Sequence, residues 1–176
     1  MFCHKWIVWD LNEVELDYFI KDMRSQKINQ LDQENQVKYY LSGLIELANE
    51  SGLERIHFHN FDYYICLTKG SQKISPKRTR QAMILSAIIA AQRARTGGVE
   101  NQVDFAPVEA IPISAEGLTQ MVALAKHISA PPDFMETGIT EYSGYNLIFL
   151  PTKIAPNPVL TVGLGDTISA IAFLSE

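Results

Sequence analysis

Cysteine is scarce in this chain: Cys3 and Cys66 are the only two in 176 residues, and neither belongs to a Cys-x-x-Cys pair. A cysteine-based zinc site is therefore not indicated, and the usage is that of a reducing compartment. Positive charge is scarce as well, with 15 Lys and Arg against 20 Asp and Glu and a net charge of -5. Non-specific nucleic-acid binding needs clustered positive charge, so no nucleic-acid partner is expected. The one dense basic run, Lys77-Arg78-Thr79-Arg80, opens an apolar helix and reads as its solvated face. Long apolar runs are missing too. The longest, Ala82 to Ala91, is interrupted by Ser86 and is too short to span a bilayer, so no membrane partner is expected. Met1 to Lys5 leads into only four apolar residues, so no signal peptide is expected. The expectation is a cytoplasmic protein. No repeat or low-complexity linker interrupts the chain, and residues 1–176 are expected to form a single domain.

What is present is an alternation of strand and helix patterns. Trp6-Ile7-Val8-Trp9 reads as a strand, followed by a helix from Glu13 with Val14, Leu16, Phe19, Ile20 and Met23 on one broad face. Either Asp10 or Asn12 caps it. A second helix spans Gln33 to Ser51 and ends at Gly52. Arg55 to His59 and Tyr63 to Thr68 read as strands joined by an Asn60-Phe61-Asp62 turn. Ser75-Pro76 opens a helix to about Thr96, stopped by Gly97-Gly98. Val99 to Ser114 reads as irregular, Ala115 to Ser129 as a helix, and Asp133 to Gly144 as a surface loop. Tyr145 to Leu150 is a strand, and a last helix runs from near Asp166 to Leu174. This order argues for an α/β layered domain.

Three stretches carry chemistry. In Gly163-Leu164-Gly165-Asp166, two glycines precede a helix, where backbone N–H groups can approach an anion. Asp166 in the first turn is a candidate base toward a substrate hydroxyl, or simply the helix N-cap. Asn12-Glu13-Val14-Glu15 offers an amide and two carboxylates for Mg²⁺, or only an acidic helix start. His57 and His59 share one face of a strand beside Tyr63 and Tyr64. They read as a metal pair short of a third ligand, a ring near a base, or a partly exposed strand face.

Taken together, these stretches resemble the ADP-dependent glucokinase and phosphofructokinase family. The resemblance rests on Leu147 to Ile154 leading into Thr161 to Ser169, on Leu11 to Leu16, and on Arg55 to His59, in the family's order and spacing. It implies a ribokinase-like large domain, here partial, with a layered central sheet and helices on both faces. It implies transfer of the ADP β-phosphate to glucose or fructose 6-phosphate with Mg²⁺, leaving AMP. By resemblance, Asp166 is the catalytic base and Gly163, Leu164 and Gly165 form the anion hole. Asn12, Glu13 and Glu15 position Mg²⁺ and phosphate, with Asp166 also near the metal, while His59, Ala155 and Val162 lie near the adenine. Two departures accompany it. The family's chains are more than twice as long, so the lid and most sugar-binding residues are expected outside this sequence. The family's Ser-x-Gly stretch before Asn12 is replaced by Val8-Trp9-Asp10.

Three functions compete: part of a kinase, which is the expected one; a module that binds an adenine nucleotide or a protein without catalysis; and a remnant that binds nothing. A partial large domain exposes sheet edge and apolar surface. A homo-oligomer, or a partner chain with the sugar half, is therefore expected.

Overall fold

The computed structural model describes residues 8–24, 36–70, 74–98 and 105–175. Cys3, the Trp6-Ile7 start of the first expected strand and Gln33 to Asn35 lie outside them. Five strands form one sheet: β1 (Val8–Asn12), β2 (Arg55–His59), β3 (Tyr63–Lys69), β4 (Ile139–Tyr142) and β5 (Tyr145–Pro151), in the order β1-β2-β3-β5-β4. β1 and β2 run parallel and the remaining pairs antiparallel. Around the sheet lie α1 (Glu13–Arg24), α2 (Gln36–Ser51), α3 (Pro76–Thr96), α4 (Phe105–Glu109), α5 (Ala115–His127), α6 (Phe134–Thr137) and α7 (Leu164–Leu174).

Strand side chains alternate between two faces, and that alternation builds the layers. Ile56, Phe58, Tyr63, Ile65, Leu67, Leu147 and Phe149 point to one face, where Leu16 and Ile20 of α1, Leu41 and Leu44 of α2 and Leu124 of α5 cover them. Tyr64, Cys66, Ile148 and Leu150 point to the other, against Met83, Ala87 and Ala90 of α3 and Ile168 of α7. Each large apolar side chain buried this way contributes about 1.5–3 kcal/mol. The alanine stripe lets α3 lie close to both the sheet and α7. The expected α/β layering with helices on both faces is therefore what forms.

The local signals act as their chemistry dictates. Ser75 Oγ accepts from the Arg78 N–H at 3.3 Å, Pro76 occupies the first turn, and Gly97 closes α3 at φ 81°. Asn60 Oδ1 accepts from the N–H groups of Asp62 (2.9 Å) and Tyr63 (2.8 Å), which turns β2 into β3. Ser114 Oγ caps α5 by accepting from the Gly117 N–H at 2.9 Å and also bonds Asp62 Oδ1 at 2.6 Å. That pair fixes the β2–β3 turn against α5.

Four segments differ from the sequence reading. β1 spans Val8–Asn12, so Asp10, Leu11 and Asn12 lie inside a strand, because pairing with β2 continues to Asn12 opposite His59. Asp133 to Gly144 is not a loop: it holds α6 and the edge strand β4. Its polar edge pattern hid a strand that Ser143 (φ 51°) and Gly144 (φ 81°) turn tightly onto β5. The irregular stretch contains α4, too short for a periodic signal. α5 ends at His127, with Ser129 at φ 51° beyond it.

Candidate nucleotide site

The start of α7 has an unusual N-cap. Gly163 holds that position at φ 72° and offers no side-chain oxygen to the first helical N–H groups. Those groups have no partner inside the helix, and with the helix dipole they favour an anion. Asp166 is therefore not the cap. It lies solvent-exposed in the first turn, next to Gly165.

A cavity of about 370 Å³ opens beside this turn, within the range of small-ligand pockets. Its apolar wall comes from Ala87, Ala90, Ala91 and Ala94 of α3 with Ile154, Ala155 and Pro158, and its polar end from Asn12, Glu13, His59 and Lys153. Leu164 and Gly165 line it from α7. The lining thus combines an alanine-rich apolar wall with polar side chains and the first turn of α7. A flat heterocycle linked to an anion fits both chemistries.

Of the residues nominated from sequence, the fold gathers Asn12, Glu13, His59, Ala155, Leu164 and Gly165 around one cavity, although they come from both ends of the chain. Gly163 stands just behind it as the cap. Val162 is 78% exposed and outside the cavity lining. Glu15 is exposed and already engaged. Its Oε2 accepts from the Asn12 N–H at 2.9 Å, while Asn12 Oδ1 accepts from the N–H groups of Val14 (2.9 Å) and Glu15 (3.0 Å). This is a capping box for α1. Among the described residues no group of three or more His, Cys, Asp and Glu is assembled for a metal.

His57 is not at a partly exposed face. It is buried at 4% exposure, and its Nε2 accepts from Arg55 Nε at 2.9 Å. Accepting from a guanidinium requires a neutral ring. Burial first, and the Arg55 charge second, lower its pKa from 6.5 to about 3. The unfolded chain then binds a proton that the folded chain refuses. His57's contribution is full above pH 6.5 and is lost as pH falls from there toward 3. The melting temperature is expected to drop across that window, and His57→Gln is expected to flatten the drop in a series of thermal melts. A pH dependence identical in the variant contradicts this.

Two participants escaped the sequence reading. Arg93 of α3 donates from Nη1 to the Gly163 carbonyl at 3.0 Å and to Thr167 Oγ1, bracing the left-handed turn. The only signal for it was a cation within an alanine-rich helical stripe. From sequence, Asp10 is an alternative cap of α1 and a departure before Asn12, not a site residue. Its carboxylate Oδ2 accepts from Ser169 Oγ of α7 and lies 3.2 Å from His59 Nδ1.

The chain matches the conserved region of ADP-specific phosphofructokinase/glucokinase over residues 9–175. It is 36% identical over 170 residues to the ADP-dependent glucose/glucosamine kinase of Pyrococcus abyssi, covering 94% of this chain and 35% of that one. It is 31% identical over 147 residues to the ADP-specific phosphofructokinase of Methanosarcina acetivorans, covering 81% and 30%. Among solved structures it resembles the last common ancestor of ADP-dependent phosphofructokinases from Methanosarcinales, with a TM-score of 0.85 and 30% identity over 96% of this chain and 36% of that one. It also resembles an ADP-dependent kinase in complex with fructose-6-phosphate and ADPβS, with a TM-score of 0.81 and 30% identity over 96% and 38%. The chain thus spans about a third of the length of the relatives it matches. On this match of sequence and fold, the chain belongs to the ADP-specific phosphofructokinase/glucokinase family.

Proposed function

We propose that this chain is the nucleotide-binding part of an ADP-dependent sugar kinase, built on a ribokinase-like large domain and working in the cytoplasm. The observation that carries the reading is the Gly163–Gly165 turn of α7, whose free amides open onto the alanine-walled cavity. Adenine lies along Ala90, Ala91 and Ala155, and the diphosphate reaches the amides of Leu164 and Gly165. Arg93, behind the turn, adds positive charge near the transferring group. The acceptor hydroxyl oxygen bonds to the β-phosphorus as the bond to the α-phosphate bridging oxygen breaks. Asp166 takes the hydroxyl proton and AMP leaves. Mg²⁺ would be held by Glu13 and Asp166 together with phosphate, and when bound it neutralises charge on the diphosphate. Asn12 shapes this end as the cap of α1, and Glu15 holds Asn12. Glucose or fructose 6-phosphate is the acceptor, and most of its contacts come from residues outside this sequence.

A second reading, a nucleotide-binding module without catalysis, is favoured by one observation: Glu15, nominated for the metal, already serves the capping box. One assay separates the two. The chain is mixed with the separately produced N-terminal two-thirds of a relative, and AMP release from ADP is followed with each sugar. The kinase reading expects AMP release, with Asp166→Asn lowering turnover on the order of 10²–10⁴-fold while ADP affinity is kept. ADP binding without AMP release in any mixture establishes the module reading instead.

A further inference from the structure

A half-buried carboxylate stands beneath the anion-binding turn. Asp10 sits on β1 with its side chain 14% exposed, facing α7 across the open end of the sheet. Its Oδ2 accepts from Ser169 Oγ, one turn into α7 from Gly165, and lies 3.2 Å from His59 Nδ1. Ser169 Oγ is also 3.0 Å from the Gly165 carbonyl. The opposite edge of the His59 ring meets Gly165: a Cβ built there would lie 2.7 Å from His59 Nε2. Tyr64 packs edge-on to the same ring, with centroids 6.3 Å apart at 85°. The contacts close a loop from Asp10 to Ser169, Gly165, His59 and back to Asp10.

We propose that Asp10 is a positioning residue for the diphosphate-binding turn, clamping Gly165 through His59 on one side and through Ser169 on the other. The inference rests on the nucleotide reading above and adds a residue to it. A carboxylate facing Nδ1 favours the ring proton on that nitrogen and leaves Nε2 toward Gly165. The ring is then a wedge of fixed orientation under the turn. Ser169 fixes the axial position of α7. Asp10 Oδ1 and His59 Nδ1 are both buried with no hydrogen bond among the described residues, so the 3.2 Å contact between the two side chains is electrostatic. His59 therefore acts chiefly on the turn and not on the adenine slot.

The test compares ADP with adenosine, which lacks the diphosphate, in calorimetric titrations of the full chain, its Asp10→Ala, Asp10→Asn and Ser169→Ala variants. Asp10→Ala is expected to weaken ADP about tenfold, the scale of one lost charge-assisted hydrogen bond, and to leave adenosine unchanged. Asp10→Asn, which keeps an acceptor for Ser169, is expected to recover part of the loss, and Ser169→Ala to share it. In parallel, the ¹⁵N pattern of the His59 ring and the Gly165 amide shift are expected to move in Asp10→Ala. Equal weakening of ADP and adenosine, or no weakening in a variant with a native melting curve, overturns the clamp. So does an unchanged His59 ring and Gly165 amide, whatever the affinity. Failure of the unmodified chain to bind ADP overturns the nucleotide reading itself, while the ring spectrum still decides whether Asp10 clamps the turn.

Discussion

Gly165→Ala is expected to weaken ADP binding on the order of a hundredfold while leaving the chain folded. The added Cβ would stand 2.7 Å from His59 Nε2, closer than real carbon contacts allow, and 3.3 Å from Cε1, a tight one. His59 has little room to withdraw. Asp10 lies 3.2 Å behind its Nδ1, and Tyr64 flanks the ring. The first turn of α7 must rise instead, carrying the Leu164 and Gly165 amides off the diphosphate, and displacements well under an ångström to one ångström cost about that much in a preorganised site. Helix propensity acts in the opposite direction, since alanine is better than glycine in a helix by about 1 kcal/mol. Affinity and stability are therefore expected to part company. Titration of ADP and a thermal melt on the same variant check this, and affinity within threefold of the original contradicts it. The coupling is also measurable as a double-mutant cycle with His59→Ala, where removing the ring is expected to relieve much of the alanine's penalty.

Gly117→Ala is expected to destabilise the fold by about 3 kcal/mol, the upper range for overpacking. Its Cβ would meet the Asp62 carbonyl oxygen at 2.2 Å and Pro151 Cβ at 3.2 Å. That oxygen is backbone, and it already accepts from the Thr152 N–H at 2.9 Å. Asp62 is further tied to Ser114 Oγ, and Thr152 Oγ1 donates to the Phe61 carbonyl at 2.7 Å. The turn that carries Asn60 and Phe61 to the cavity mouth cannot slide without breaking these bonds. For a chain of this size the loss corresponds to roughly 6–12 °C in melting temperature. Gly70→Ala, where nothing lies within 4 Å, is the control and is expected to change little. Equal melting temperatures for the two variants contradict the packing account.

These effects show which parts of the molecule the sequence displays locally. α3 was readable because its start and stop signals, Ser75-Pro76 and Gly97, coincide with its packing. The α7 turn was readable because two glycines bracket one residue before an apolar helix. β4 was not, since an edge strand with one face toward solvent has no strong pattern and its pairing with β5 is decided by a two-residue turn. The extent of β1 was not either, because its pairing partner β2 lies beyond two helices. Asp10, Ser169 and Arg93 belong to long-range contacts. Asp10 and Ser169 are 159 positions apart, and no window of sequence contains both. The same distance explains why Asp10 stands in the sequence only as a helix-cap alternative and a mismatch, although its half-buried side chain meets α7.

The central claim is that these residues by themselves form a site for ADP. Calorimetric titration of ADP with Mg²⁺ into the purified chain tests it most directly. The account predicts saturable binding at one site per chain, weakened by Gly165→Ala and by Asn12→Ala. No binding at millimolar ADP, in a chain that melts cooperatively, contradicts it.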